Sequence, residues 1–192
     1  VFAEVRLERR ATNTTVIPFP SLEPGNSPLP PISTNHLAAL TDSVGLMQHT
    51  KFAVPDRRHG YCLDDNARAL LVLTELAAVR PLTGQEDQLL LIYAAFVENA
   101  WRPETKKVHN YMSVDRCWVE SAGAGDALGR TIWALGAVAR HKNARSLDGW
   151  AAARMLEITP SLMESASPRE WAYGLLGISK LLRRFPGHRN LE

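Results

Sequence analysis

Two polar segments of the chain contain the residue types that acid–base chemistry and ligand binding require. The first, residues 42–68, combines carboxylates, imidazoles, guanidinium groups and hydroxyls in a stretch that joins two predicted helices. A connector that only links helices seldom needs so many different donors and acceptors, so we interpret this segment as the rim of a ligand-binding site. The candidate substrate-binding residues in it are Asp42, His49, Arg58, His59, Tyr61 and Asn66.

The adjacent carboxylates Asp64 and Asp65 are the strongest catalytic candidates in this segment. In the functional interpretation, one of them is directed at the substrate. In the structural interpretation, Asp64 is the N-cap of a helix and Asp65 is its first residue, where the helix dipole favours negative charge. Both interpretations can hold together, because a carboxylate at a helix N-terminus that borders a site can stabilise the helix and face the substrate.

The second polar segment covers residues 109–130. Glu120 and Asp126 are its catalytic candidates, and they flank the small-residue run 121–125, which would let the backbone approach a ligand closely. Asp126 is also expected to be the N-cap of a helix. The candidate substrate-binding residues are Tyr111, Asp115, Arg116 and Trp118.

One carboxyl group from each segment would be enough to cleave a glycosidic bond. The two groups would lie about 5–5.5 Å apart for retention of configuration, or about 6.5–9.5 Å apart for inversion. The sequence leaves the pair open between one acid from the first segment and one from the second. The candidates are Asp42, Asp64 or Asp65 with Asp115, Glu120 or Asp126.

Aromatic residues and possible metal ligands give weaker evidence of a functional site than these acids do. Trp118, Trp133 and Trp171 could each stack on a sugar ring, but Trp133 and Trp171 lie in predicted helices, where a tryptophan more often packs in the core. The histidines and the two cysteines lack the close paired spacing of a structural zinc site. There is no P-loop, dinucleotide fingerprint or nucleophile elbow. We therefore expect neither a metal nor a cofactor.

Helices must position these residues. Apolar periodicity and start signals predict helices at Asn35–Leu40 and at 64–79, 83–101, 126–141, 146–157 and 167–184. Capping boxes are expected at Thr83 and Ser167. Residues 102–119 are predicted to form an irregular loop with a short hairpin. Residues 1–33 are predicted to be an N-terminal extension with a proline-rich strap, and 34–190 a domain of α/α hairpins.

A short motif repeats in two of the predicted helices. Trp133-Ala134-Leu135-Gly136 returns 38 residues later as Trp171-Ala172-Tyr173-Gly174. One helix pair with its loops occupies about that length, so the repeat predicts stacked helical hairpins. The alanines and glycines in the motif would let neighbouring helices approach closely.

Charge and composition exclude some partners. The chain has 22 basic and 20 acidic residues and no basic stripe, so we do not expect it to bind nucleic acid. No apolar run approaches the roughly 20 residues that span a bilayer, so no membrane partner is expected. Cys62 and Cys117 form no CxxC pair and are interpreted as two buried free thiols in a cytoplasmic protein.

The runs LTDSVGLMQHTKFAVPDRRHGYCLDDNARALLVL, NYMSVDRCWVESAGAGDALGRTIWALG and REWAYGLLGISKLLRRFPG resemble a bacterial family of helical domains. These domains occur beside or fused to glycosyltransferases and are similar to six-hairpin glycosidases, whose α/α toroids hold acidic residues at one end. The resemblance covers about residues 34–187. It implies a carbohydrate-active role, with Asp64, Asp65, Asp115 and Asp126 in the family-like segments.

A closed toroid of six hairpins needs twelve helices of about 11–12 residues each, more than this chain holds. We therefore expect an all-α fold, a partial α/α toroid of six or seven helices, with an apolar flank that favours self-association. The leading functional hypothesis is a cofactor-free glycoside hydrolase acting on an oligosaccharide or polysaccharide. The alternatives are a non-catalytic glycan-binding or accessory domain of a glycosyltransferase, and a structural helical-repeat module.

Overall fold

The structure, a computed structural model, describes residues 31–121, 123, 126–142 and 146–187. The predicted N-terminal extension and strap therefore lie outside the described residues, apart from residues 31–33. Within the described part the chain is mostly helical, as predicted. Its α-helices are α1 Asn35–Leu40, α2 Leu63–Val79, α3 Gly84–Ala100, α4 Ala127–Arg140, α5 Leu147–Ile158 and α6 Pro168–Arg184.

Short strands connect the helices. The structure contains β1 Thr50–Lys51, β2 Val54–Pro55, β3 Tyr61–Cys62, β4 Trp101–Arg102, β5 Lys107–Val108 and β6 Tyr111–Met112, with 3₁₀ turns at Arg57–His59 and Thr159–Glu164. The antiparallel pair β4–β5 is the hairpin expected after α3. The pairs β1–β2 and β3–β6 were not predicted, and β3–β6 joins the two polar segments directly.

Helices α2, α4 and α6 run in the same direction. Asp64 on α2 lies beside Arg130 near the start of α4, and Glu75 lies beside His141 just beyond the end of α4. The same order holds between α4 and α6, where the first turns meet at Asp126 and Arg169. The three helices therefore form one parallel layer with their N-termini at the same end.

Helices α3 and α5 form a second layer. Glu98 near the end of α3 binds Arg154 on α5, and the Trp101 indole donates to Glu157 at 3.0 Å. Helix α4 is buried along almost its whole length between α2, α5 and α6. The hairpins α2–α3 and α4–α5 therefore lie side by side, with α6 on the far side of α4.

Glycines set the distance between α4 and α6. A Cβ atom at Gly136 would lie 2.2 Å from the carbonyl oxygen of Gly177, and one at Gly129 would lie 2.4 Å from that of Glu170. Real Cβ atoms do not approach so closely, so the two backbones are in direct contact. The close approach expected from the repeated motif is thus found at Gly136, whereas a Cβ at Gly174 would meet the Leu162 side chain at 2.3 Å.

Glu86 ties three helices together. It forms the predicted capping box with Thr83, accepting the Thr83 N–H at 2.8 Å while its own N–H donates to the Thr83 hydroxyl at 3.2 Å. The Arg80 guanidinium after α2 and the Thr34 hydroxyl before α1 also donate to this carboxylate. Above all, the bonds from Arg80 lower the pKa of Glu86 to about 2.

The second predicted capping box is only half formed. The Ser167 hydroxyl accepts the Glu170 N–H at 3.3 Å, and Pro168 occupies the first helical position. The Ser167 N–H donates instead to the Ser165 hydroxyl at 3.1 Å, so the Glu170 carboxylate does not accept this N–H as it would in a complete capping box.

No helix in the described residues is long and apolar enough to cross a membrane.

We predict that Gly136→Ala and Gly177→Ala each lower the free energy of unfolding by roughly 1–3 kcal/mol, because the added methyl forces α4 and α6 apart. Urea unfolding measures the effect. Gly149→Ala is the matched control, since nothing lies within 4 Å of a Cβ there. It should be neutral or stabilising by about 0.5–1 kcal/mol. Equal effects in all three variants would contradict the close helix contact.

We predict that Glu86 makes stability depend on pH below the ordinary carboxylate range. Its pKa is lowered on folding from 4.5 to about 2, so its contribution is complete above pH 4.5 and is lost as the pH falls toward 2. Thermal unfolding of wild type and Glu86→Gln between pH 2 and 7 tests this. The two proteins should differ most at neutral pH and converge in acid; a constant difference would be inconsistent with the lowered pKa.

Candidate functional site

Asn110 connects the two polar segments. Its carbonyl oxygen accepts the Leu63 N–H at 2.7 Å, and its side-chain oxygen accepts the Asp64 N–H at 3.2 Å. These are two of the N–H groups at the start of α2 that have no partner within the helix. The expectation that Asp64 is the N-cap is therefore wrong: Cys62 holds that position, and Asp64 and Asp65 are the second and third helical residues.

Glu120 fixes the segment that carries Asn110. One of its carboxylate oxygens accepts the N–H groups of Asn110 at 2.6 Å and Tyr111 at 2.9 Å. The other oxygen is buried and has no hydrogen-bond partner among the described residues. His109 Nδ1 lies 3.0 Å from the Glu120 carbonyl oxygen. Of the four predicted catalytic residues, Glu120 is thus the one whose carboxylate binds backbone N–H groups of its own segment.

Asp64 is a mostly buried carboxyl group. Its Oδ1 atom lies 3.2 Å from Nε of Arg130. Burial is the largest effect on its pKa and raises it, Arg130 opposes this, and the nearby Asp126 carboxylate raises it further. A carboxyl group in this environment retains its proton to higher pH than an exposed aspartate does. Such a group is a candidate general acid.

Asp126 lies at the predicted N-cap of α4, but its side chain makes no capping hydrogen bond. It accepts a long hydrogen bond of 3.4 Å from Arg169 at the start of α6. Arg130 follows one helical turn later, and its guanidinium lies over the ring of Tyr173, 4.4 Å from the centroid. Asp126 and Arg130 therefore face the interhelical space that Asp64 also borders.

Two aromatic rings continue this surface along α4 and α6. Trp133 and Tyr173 are stacked with centroids 5.6 Å apart and an interplanar angle of 9°. Both side chains are partly exposed. The Trp133 indole N–H is buried and has no hydrogen-bond partner among the described residues. The rings lie next to Arg130, so a flat apolar surface adjoins the charged groups.

Asp65 and Tyr111 lie at the edge of the same region. Asp65 pairs with Arg68 at 2.6 Å on the exposed side of α2. Tyr111 on β6 is 42% exposed. Tyr111 is paired with Cys62 in the β3–β6 ladder, and Cys62, burial and the nearby carboxylates raise its pKa.

Three predicted binding residues instead support the fold. Asp42 accepts the Tyr61 hydroxyl at 2.6 Å and a backbone N–H of its own loop. Tyr61 is buried, which raises the pKa of its hydroxyl to about 12. Asn66 is buried, and its amide accepts the Leu46 N–H at 2.8 Å and donates to the Cys62 carbonyl at 2.9 Å.

The remaining predicted residues lie in loops. The rings of His49 and His59 are 4.3 Å apart, and Arg58 pairs with Asp56 on the surface. Asp115 and Arg116 are exposed in a tight turn.

Trp118 is partly buried by its neighbours. Its ring stacks on His109 with centroids 5.0 Å apart, meets Phe96 edge-on, and has the Arg102 guanidinium 5.8 Å from its centroid. Trp171 donates its indole N–H to the Ser165 carbonyl at 2.9 Å and packs against the core. Of the tryptophans considered, Trp133 is the one beside the acidic groups.

The described residues contain no group of three or more histidine, cysteine, aspartate or glutamate side chains that could hold a metal ion. No protein-family model matches the chain, and a search of curated proteins found no match either. The resemblance to glycosyltransferase-associated domains therefore stays a prediction, and the function has to be inferred from the contacts of the site residues.

Three residues of the site were not among the predicted ones: Asn110, Arg130 and Tyr173. Arg130 had a usable signal, because it follows Asp126 by four residues and so shares its helix face. Asn110 and Tyr173 had none, since their partners are contributed by distant parts of the chain.

We predict that the two cysteines differ in reactivity, contrary to the expectation of two buried thiols. Cys62 is buried, donates to the Asn110 side chain at 3.2 Å and has its pKa raised to about 11 by burial, whereas Cys117 is exposed. A disulfide reagent at pH 8 should titrate one thiol in the native protein and two in denaturant. Cys117→Ser should remove the fast reaction, and Asn110→Ala should expose Cys62. Equal native reactivity of both thiols would refute this picture of the α2 N-terminus.

Proposed function

We propose that this protein is a carbohydrate-active enzyme of the glycoside hydrolase type, with Asp64 and Asp126 as its paired carboxyl groups. The observation that carries the proposal is the environment of Asp64. Its carboxyl group is largely buried, its pKa is raised, and the carboxylate of Asp126 from a second helix N-terminus contributes to that shift. Glycoside cleavage uses a carboxyl group that keeps its proton together with a second carboxyl group nearby.

The chemistry follows from this pair. Asp64, protonated, would donate its proton to the glycosidic oxygen as the bond to the leaving sugar breaks. Asp126, ionised, would either activate a water molecule or attack the anomeric carbon. Arg130 lies beside the Asp64 carboxyl and would stabilise the anion left after proton transfer. No cofactor is needed for these steps.

The stacked pair of Trp133 and Tyr173 supports a sugar as the substrate. A partly exposed aromatic surface beside carboxylates suits a sugar ring, whose C–H face is apolar and whose edge carries hydroxyl groups. We propose that the substrate lies across these rings, with the bond to be cleaved near Asp64. Tyr111 borders the same region from β6.

We further propose that the parallel layer of α2, α4 and α6 is part of an α/α toroid whose acidic end is the end that carries Asp64 and Asp126. Apolar side chains remain exposed on this layer, including Val72 at 48% and Leu176 at 46%. A second copy of the chain is the proposed cover for this flank. A cytoplasmic location belongs to the same proposal, because both cysteines are free thiols.

One observation favours the non-catalytic alternative. Asp64 and Asp126 each have an arginine neighbour, Arg130 and Arg169, so each carboxyl group already has a cationic partner. Two ionised carboxylates would accept hydrogen bonds from sugar hydroxyl groups without cleaving a bond. In that case the protein would be a glycan-binding or accessory domain.

Hydrolysis of a panel of aryl glycosides and polysaccharides tests the proposal. Asp64→Asn and Asp126→Asn should each lower kcat/KM by about 10²–10⁴-fold, because each removes an acid–base or nucleophilic group. Glu104→Gln is the matched control, since Glu104 is exposed in the β4–β5 turn, and it should leave turnover unchanged.

The outcomes separate the hypotheses. Turnover that persists in both aspartate variants would remove these residues from the catalytic role. Saturable glycan binding without turnover by the wild-type protein, weakened in Asp64→Asn, would support the accessory-domain alternative. If the wild-type protein shows neither turnover nor glycan binding, the structural-module interpretation is the one that remains.

A further inference from the structure

A second polar site lies on the opposite side of the α4 N-terminus. A half-open cavity of about 230 Å³ is lined by the β4–β5 hairpin, the first turn of α4, the 3₁₀ segment Thr159–Glu164 and the start of α6. Its walls include Lys106, Lys107, Val108, Leu128, Ser161 and Glu170. Leu128 and Arg130 are two residues apart on α4 and so point about 200° apart around the helix. The cavity is therefore distinct from the Asp64 site.

Two polar side chains of this cavity are buried, and one of them has no hydrogen-bond partner among the described residues. Glu170 is 6% exposed and Ser161 is 7% exposed. The Ser161 hydroxyl has no hydrogen-bond partner in the described part of the chain. The Glu170 carboxylate, which also lines the cavity, makes no hydrogen bond or ion pair with a described residue. The Glu170 carboxylate lacks a partner among the residues described because the capping box is only half formed. The Ser165 hydroxyl accepts the Ser167 N–H that this carboxylate would otherwise accept.

Buried polar groups in proteins are almost always satisfied, and a water molecule, an ion or a ligand can supply the partner that the protein does not. A carboxylate needs donors, and a serine hydroxyl can donate or accept. The cavity is large enough for more than a few water molecules, each of which occupies about 30 Å³ in the liquid. Its polar groups and its size together indicate a small ligand.

We propose that this cavity binds a small neutral polyhydroxylated molecule of the size of a monosaccharide. Two lysines and two glutamates, Glu164 and Glu170, line it, so the wall charges balance. An anion would face the buried Glu170, and a cation would face the two lysines. A neutral ligand that is rich in hydroxyl groups donates to Glu170, accepts from the lysines and bonds Ser161. Val108 and Leu128 supply an apolar wall for its C–H face.

Saturation-transfer NMR and calorimetry with glucose, mannose, galactose and glycerol test this site. At least one of these polyols should bind saturably to the wild-type protein. Glu170→Gln should weaken that binding at least tenfold, because the amide offers one acceptor oxygen instead of two. Leu128→Phe should also weaken it at least tenfold by filling the cavity, and it provides the test if Glu170→Gln fails to fold.

Two controls locate the binding. Gly149→Ala on the exposed side of α5 should bind like the wild type. Asp64→Asn should also retain binding, so a failure of the proposed glycosidase chemistry leaves this result intact. Circular dichroism confirms that each variant is folded before its affinity is compared.

Three results would overturn the proposal. Absence of saturable binding by the wild-type protein would mean that the cavity holds water only. Affinity that is unchanged in both Glu170→Gln and Leu128→Phe would place the ligand elsewhere. Tighter binding of glycine or serine than of any polyol, tested as zwitterionic competitors, would assign the cavity to amino acids instead.

Discussion

The start of α2 is a buried helix end whose N–H groups must find acceptors, and this requirement organises the polar half of the molecule. The chain meets it with the backbone carbonyl and the side chain of Asn110, from the other polar segment, rather than with a local cap. Once Asn110 is in place, β3 and β6 are paired and the two polar segments share one location. Glu120 then holds the Asn110 backbone, so an acid that looked catalytic contributes to the scaffold. The position of Asp64 follows from this arrangement.

The electrostatics of the site follow from the packing of helices. Because α2, α4 and α6 are parallel, their N-terminal turns meet and bring Asp64, Asp126 and Arg130 together. Arg130 does not offset the burial of Asp64, so the pKa of that acid stays above its ordinary value. The same alignment places Trp133 and Tyr173 immediately below the charged groups. Charge and apolar surface are thus contributed by the same helices.

Much of the helical framework could be predicted, because its signals are local. Thr83 with Glu86, and Pro168 at a first helical position, mark helix starts within a few residues of sequence. The N-cap of α2 was misplaced by two residues, at Asp64 instead of Cys62, because the partner of this helix end, Asn110, lies 46–48 residues away. The β3–β6 pair was missed for the same reason, since two-residue strands carry almost no periodic signal.

The shared location of the two polar segments was anticipated, but the tasks of individual acids were not. Asp42 and Asn66 resemble site residues in the sequence, yet their hydrogen bonds to Tyr61 and Leu46 make them structural. On α4, Gly129 and Gly136 are seven residues apart, matching Glu170 and Gly177 on α6. A slide of one helix past the other by a single turn would press Ile132 or Trp133 into the opposing backbone. The spacing therefore fixes the axial register of α4 and α6, and it keeps the helix ends that carry Asp126 and Arg169 level, so that their long hydrogen bond only adds to an alignment set by the backbones.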